Sequence, residues 1–233
     1  MKFAGKVAIV TGGTGALGQA IARRLLAGGA AVAVPFVVPA EAEALRVSLP
    51  AAERDRLHAA PADVTDPAGV DGFVSDVLAR HRRLDILVCA VGGFAGGELV
   101  STTPDVWHRM LTLNLTATYL ACHAALPAMI RARSGRVITI ASRAVVPPAG
   151  GFLAYTVAKA GVIALTQALA QEVRPHAITV NTVLPSTMDT PANRAAMPDA
   201  DRSGWVSVDS VAAVVTFLAG EDARDVTGAL VPV

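Results

Sequence analysis

The chain has 233 residues, enough for one large domain with a sizeable core, and its 53% hydrophobic and 17% charged residues suit a sheet buried on both faces. A net charge of +1, with no basic run interleaved with aromatics, argues against nucleic acid or an anionic membrane surface as a partner. Cys89 and Cys122 lie in apolar stretches and read as buried thiols in a reducing cytoplasm; no signal-length segment opens the chain, and no membrane span is expected from its short or interrupted apolar runs.

In chain order, short β-branched runs alternate with helical stretches. Residues 6–11 read as a first strand, and 16–27 as an alanine- and leucine-rich helix stopped by Gly28-Gly29. Residues 30–34 form a second strand ended by Pro35, 40–49 a helix and 57–62 a third strand. Residues 67–80 are helical, with Pro67 at a start where its missing N–H costs nothing. The fourth strand, 84–90, leads to a glycine-rich loop at 92–97. Helix runs from Pro104 to about residue 133 with a break near Asn114; then come a fifth strand at 135–140, a long helix at 152–173 and a sixth strand at 176–183. A helix at 208–219 and a strand at 229–233 finish the pattern. Repeated β-α units predict an α/β fold, a single-domain doubly wound Rossmann fold of about seven parallel strands.

Two places in this pattern carry chemistry. After the first strand, Gly13, Gly15 and Gly18 satisfy G-x-G-x-x-G between a strand and a helix, where backbone N–H groups can meet a pyrophosphate. The second strand ends Val34-Pro35-Phe36-Val37-Val38, with neither an acid for a ribose diol nor an arginine for a 2′-phosphate. Glu41 and Glu43 are nearby but read as solvated charges on the next helix. A phosphate without a cation is poorly compensated, so the cofactor is NAD or NADP with a lean to NAD. Further on, Tyr155 and Lys159 are four apart and share a helix face, where an ammonium can lower the pKa of a phenol and fit it for proton transfer.

With these residues the chain resembles the short-chain dehydrogenase/reductase family over nearly its whole length. Thr11, Gly12 and Gly18 match the family's T-G-x-x-x-G-x-G, with Ala16 at its middle glycine and Gly15 one place earlier. Asp63-Val64 resembles the adenine contact; Cys89-Ala90-Val91-Gly92 stands where the family has N-N-A-G and keeps only the glycine. Asn114 resembles the helix-kinking asparagine, Ser142 the active-site serine, and Tyr155 with Lys159 completes the tetrad. Residues 180–186 resemble V-N-x-x-x-P-G with Ser186 for the glycine, and Met188-Asp189-Thr190 follows, where the family threonine contacts the nicotinamide end.

The resemblance implies an NAD(P)-dependent oxidoreductase that moves a hydride between nicotinamide and a carbonyl or alcohol substrate, of 3-oxoacyl type or a small ketone. Tyr155 would be its acid or base, Ser142 would bond the substrate oxygen, Lys159 would lower the Tyr155 pKa and hold ribose hydroxyls, and Asn114 would hold a water linking Lys159 to solvent. Its cofactor set is Gly12, Thr14, Gly15, Ala16, Leu17, Phe36, Asp63, Val64, Ala90, Gly92, Tyr155, Lys159, Pro185, Ser186, Met188 and Thr190. It also implies a homodimer or homotetramer, in which the 152–173 helix would present Val162, Ile163, Leu165, Thr166 and Leu169 to a mate. The 13–18 turn, the 91–97 loop and the 184–205 segment resemble dihydropteridine reductases more narrowly, although Ser142 favours ordinary carbonyl chemistry. A non-catalytic dinucleotide sensor is the reading from another class, disfavoured because the tetrad is intact. The five histidines show no ligand spacing, so no metal is expected. Phe94, freed from local packing by its glycine neighbours, is a candidate for the substrate mouth; Trp205 reads as a mouth or lid anchor, Trp107 as core and Arg143 as surface.

Overall fold

A run of four to seven apolar residues has to be covered on both faces, and a parallel sheet sandwiched between helices does this. The computed structural model, which describes Met1–Val233, places β1 (Val7–Thr11), α1 (Ala16–Ala27), β2 (Ala31–Phe36), α2 (Pro39–Val47), α3 (Ala51–Arg54), β3 (Leu57–Pro61), α4 (Pro67–His81) and β4 (Ile86–Cys89) in order. There follow α5 (Pro104–Leu111), a π-helical segment at Thr112–Thr116, α6 (Ala117–Ala132), β5 (Gly135–Ile140), α7 (Leu153–Val173) and β6 (Ile178–Leu184). Last come β7 (Met188–Asp189), α8 (Pro191–Ala196), β8 (Val206–Ser207), α9 (Val208–Leu218) and β9 (Leu230–Pro232).

Seven strands form one parallel sheet in the order β3-β2-β1-β4-β5-β6-β9. The order reverses between β1 and β4, so the loops leaving their C-terminal ends part to opposite faces and open a crevice. One face of the sheet is sealed by α1 and α9 through Ile21, Leu25, Leu26, Val211 and Leu218; the other packs on α4, α6 and α7 through Val77, Ala125, Met129 and Ala170.

The predicted strands and helices of the sheet are present in the predicted order. Four short elements were not foreseen: α3, α8 and the β7–β8 pair. Pro35 does not end the second strand but lies inside β2. Ala31 N–H donates to Lys6 on the β1 side and Val32 N–H to Arg56 on the β3 side. By alternation the missing Pro35 N–H faces β1, whose pairing with β2 ends at Ile9↔Ala33, so no ladder bond is lost.

The helices also bear on two expectations. The break at Asn114 is a π-segment that continues the helix, so Pro104–Ala132, like Leu153–His176, is long and apolar enough to cross a membrane by length and composition, a test that core helices packed on a sheet also pass. Of the α7 residues expected to face a mate, Val162 and Thr166 are fully buried and Leu169 nearly so within this chain. Ile163 and Leu165 are half-buried, and Val157, Ala160, Ala164 and Ala168 are exposed.

Candidate active site

Every sequence-predicted site residue falls at the C-terminal side of the sheet. Gly12 to Leu17 leave β1, Phe36 ends β2, Asp63 and Val64 follow β3, Ala90 and Gly92 follow β4, Ser142 follows β5, and Pro185 to Thr190 follow β6. This is the side on which parallel strands aim their carbonyl ends and helices begin. A cleft lined by Arg133, Arg136, Arg174 and Arg224 lies at the opposite edge, at the N-terminal ends of β5 and β6.

The glycine turn is built for close approach. Gly12 has φ +68°, and a Cβ there would lie 2.8 Å from the Ala90 carbonyl carbon and oxygen. A Cβ on Gly18 would lie 1.9 Å from Gly12 O, so this glycine lets α1 pack on the turn. Gly15 is open and exposed, with Gly12 O at 3.4 Å from its would-be Cβ as the nearest atom. It is the N-cap of α1 without a side-chain cap, and the first intrahelical bond runs from Gln19 N–H to Gly15 O at 2.8 Å. The N–H groups of Ala16 and Leu17 precede that bond and face outward, the arrangement that receives a phosphate.

The tetrad residues converge from three elements. Asn114 is fully buried in the π-segment, where the extra residue per turn swings its amide out of the helix. Its Nδ2 donates to Met110 O at 3.0 Å and to Gly93 O at 3.0 Å, while Oδ1 accepts from Gly93 N–H at 3.2 Å. The amide thus ties the loop after β4 to the helix. A Cβ on Gly92 would meet Asn114 Oδ1 at 2.7 Å and Lys159 Nζ at 3.3 Å, so three predicted residues meet at one point.

Lys159 is buried in α7 and donates to Ile140 O at 2.8 Å. Burial pulls its pKa from 10.5 down to about 8. Its Nζ lies 5.9 Å from the centroid of the Tyr155 ring. Ser142 is buried just past β5 and accepts from Ala144 N–H at 3.2 Å, and its hydroxyl acts to lower the pKa of the Tyr155 phenol. The expectation that Lys159 lowers the Tyr155 pKa is not met in this protein by itself. Burial raises the phenol pKa, the Ser142 bond opposes that rise, and the Lys159 ammonium is spent on a backbone carbonyl.

Other predicted positions acquire specific roles. Asp63 caps its own turn, accepting from Thr65 N–H at 2.8 Å and Thr65 Oγ1 at 2.7 Å, while Asp66 caps α4 through Gly69 N–H. Val64 is buried and Phe36 half-buried. Pro185 O accepts from Arg143 N–H at 3.0 Å, and Ser186 N–H donates to Val233 O at 2.8 Å. Thr190 is buried as the cap of α8, accepting from Asn193 N–H at 3.1 Å, and Asn193 in turn holds Met188 O. Arg143 is exposed, and Trp107 and Trp205 are half-buried.

Glu41 lies exposed on α2, as expected, and also makes a contact that the sequence did not show. Its Oε2 accepts from Thr14 Oγ1 at 2.9 Å, reaching from the first turn of α2 to the glycine turn. An acid thus stands beside the glycine turn although none ends the second strand. The one signal for it was its place in the first helical turn, where a carboxylate is favoured and points back toward the strand ends.

A turn that clears space for a pyrophosphate, an uncapped helix start behind it, and a buried lysine beside a phenol and a serine define a nicotinamide-dependent oxidoreductase on a Rossmann fold. Residues 6–201 match the family described as short chain dehydrogenase. The chain is 33% identical to the 3-oxoacyl-acyl-carrier-protein reductase FabG of Escherichia coli (strain K12), over 98% of this chain and 95% of that protein. It is 29% identical to the D-beta-hydroxybutyrate dehydrogenase of Rhizobium meliloti (strain 1021), over 96% and 95%. Levodione reductase superposes with a TM-score of 0.90 at 27% identity, covering 99% of this chain and 96% of that one. NAD+-bound xylitol dehydrogenase gives 0.90 at 26%, covering 100% and 99%. The chain belongs to the short-chain dehydrogenase/reductase family and is an oxidoreductase that uses a nicotinamide cofactor.

Proposed function

We propose that the whole chain, 1–233, acts as one dinucleotide-binding domain carrying its own catalytic residues, and that it interconverts a carbonyl and an alcohol with Tyr155 as the proton donor or acceptor. The observation that carries this reading is the meeting of Asn114, Gly92, Lys159, Ser142 and Tyr155 at the crevice. The residues fit the cofactor. Gly12 to Leu17 would receive the pyrophosphate, Asp63 and Val64 the adenine, Ala90 and Gly92 the chain between the riboses, and Pro185 to Thr190 the nicotinamide end.

When bound, the nicotinamide supplies or accepts the hydride. Ser142 holds the substrate oxygen by its hydroxyl. Tyr155 passes its proton to that oxygen in reduction and takes it back in oxidation, so the protein supplies one hydrogen of the alcohol as a proton. A phenol raised by burial is a reluctant base. Lys159, near 8, is therefore poised to carry a proton at neutral pH and to favour the phenolate once it turns from Ile140 O toward the reacting end. Asn114, anchored by three bonds, fixes the loop that faces it.

The preferred cofactor is NADH. No cation stands at the end of β2, and the Glu41 carboxylate beside Thr14 opposes a 2′-phosphate while accepting from a ribose hydroxyl. The substrate class is a 3-oxoacyl thioester or a small ketone, as the names of the relatives allow. The presence of Ser142 at the active-site serine position favours these over a dihydropterin. Two free buried cysteines accord with a reducing cytoplasm.

Tyr155→Phe tests the reading. Turnover is expected to fall by about 10²–10⁴-fold while NADH binding is kept; full turnover would remove Tyr155 from the reaction. Ser142→Ala separates the chemistries: a large loss supports carbonyl reduction, and none supports the pterin reading.

A further inference from the structure

The rings of Phe94, Phe152 and Tyr155 form a cluster. Phe94 and Tyr155 centroids are 5.1 Å apart at 68°, Phe94 and Phe152 5.7 Å apart, and Phe152 and Tyr155 6.1 Å apart. The chain has ten aromatic residues of the Phe, Trp and Tyr type, so three of them stand around one candidate proton donor. Phe94 is nevertheless 65% exposed. An aromatic ring held edge-on to a half-buried phenol, yet open to water on its other side, is an unfilled contact surface.

Two loops hold it there. The 92–97 loop is pinned to the start of α7, with Gly97 N–H donating to Gly151 O at 2.8 Å and Leu153 N–H to Gly97 O at 3.1 Å. The 144–149 loop is pinned to the same helix by Thr156 Oγ1, which donates to Ala149 O at 3.3 Å. These loops read Gly-Gly-Phe-Ala-Gly-Gly and Ala-Val-Val-Pro-Pro-Ala, without one polar side chain, and Val146 is 53% exposed on the second. On the 188–205 side Asp189 pairs with Arg194, and the Arg202 guanidinium lies 5.7 Å from the centroid of the Trp205 ring. A substrate whose oxygen reaches Tyr155 and Ser142 must rest its remaining atoms between these loops. Nothing in them hydrogen-bonds by side chain or neutralises a charge, and the one fixed feature is a ring face.

We infer that the substrate is a neutral carbonyl compound bearing a planar ring, seated on Phe94 and Phe152, and not an anionic 3-oxoacyl thioester. This rests on the proposed role of Tyr155 and narrows the substrate class at the same site. Phe94 is the specificity-determining residue, acting by contact with the substrate ring. Arg143, exposed directly after Ser142, is a side chain that would argue otherwise by recruiting an anion.

The test compares acetophenone, 2-octanone and acetoacetyl-CoA as substrates of the NADH-loaded enzyme. The two ketones match in carbon number and isolate the ring; the thioester isolates the charge. Acetophenone is expected to lead in kcat/KM by tenfold or more over each. Phe94→Ala is expected to lower kcat/KM about tenfold more for acetophenone than for acetoacetyl-CoA, mainly through KM, with NADH binding by fluorescence unchanged. Phe94→Trp is expected to keep the preference. Calorimetric binding of 1-phenylethanol to the NADH-loaded protein, a pair with no hydride acceptor, gives a readout without turnover and should weaken in Phe94→Ala by the same factor. Preference for acetoacetyl-CoA, or an equal loss on all three substrates in Phe94→Ala, would overturn the inference. Tyr155→Phe keeps the two readings apart. If that variant is inactive while acetoacetyl-CoA is preferred, the ring inference fails and the catalytic reading stands; if it stays active, the catalytic reading itself has failed.

Discussion

Adding one methyl group at Gly92 tests how the crevice is assembled. A Cβ there lies 2.7 Å from Asn114 Oδ1, closer than real Cβ atoms come, and 3.3 Å from Lys159 Nζ. The backbone at Gly92 is not left-handed, so alanine is not refused by its own conformation. The neighbour must give way instead, and it is poorly placed to do so. The Asn114 amide is fully buried and held at Gly93 N–H, Gly93 O and Met110 O. A retreat of several tenths of an ångström stretches the 3.2 Å bond from Gly93 N–H beyond useful range. A buried amide left one partner short costs about 1–3 kcal/mol, and alanine returns about 0.4–1 kcal/mol through the unfolded chain. The expected net loss for Gly92→Ala is about 1–2 kcal/mol in urea unfolding followed by circular dichroism. Gly15→Ala is the control, because its site is open, and should stay within about 0.5 kcal/mol of the parent. Coupling supplies the refutation. If Asn114 is the obstacle, Gly92→Ala combined with Asn114→Ala costs less than the sum of the two. An additive pair, or a Gly92→Ala protein as stable as the parent, would show that the loop does not depend on this contact.

The buried lysine makes a pH prediction. Folding lowers its pKa from 10.5 to about 8, so between those values the unfolded chain binds more protons and stability rises with pH; below 8 the folded protein carries a buried ammonium at a cost of about 3 kcal/mol. Relative to Lys159→Met, the parent should therefore gain stability from pH 8 to 10, as urea midpoints would show, and a pH-independent difference would contradict the assignment. Glu41→Gln should raise NADPH affinity relative to NADH by about tenfold in fluorescence titrations, since a carboxylate beside the ribose opposes a phosphate; an unchanged ratio in both Glu41→Gln and Glu41→Lys would remove Glu41 from cofactor choice. Sedimentation at micromolar concentration is expected to give a dimer or tetramer, and Val157→Glu at an exposed position of α7 should shift it toward the 23.8 kDa monomer, which would contradict the assembly if the parent already ran there.

The linear sequence determined the elements whose cause is local. Helix α1 runs over Ala16–Ala27 and β5 over Gly135–Ile140, as read from alanine- and leucine-rich periodicity, a Gly28-Gly29 stop and a β-branched run. The candidate site was legible for the same reason, since Gly12, Ser142, Tyr155 and Lys159 lie in short motifs tied to strand ends and to one helix face. What the sequence left undecided depends on partners distant along the chain. Pro35 stays in a strand because β1 has stopped pairing beside it; Val162 and Thr166 turn inward because the sheet lies under α7 and not a second copy. Glu41 meets Thr14 across twenty-seven residues, and the Tyr155 phenol rises because folding strips it of water before Lys159 can act on it. Motifs record which groups are available, since a strand end or a helix turn needs only its neighbours. Burial and cross-chain hydrogen bonds fix charge and exposure, and these exist only once the chain has closed on itself.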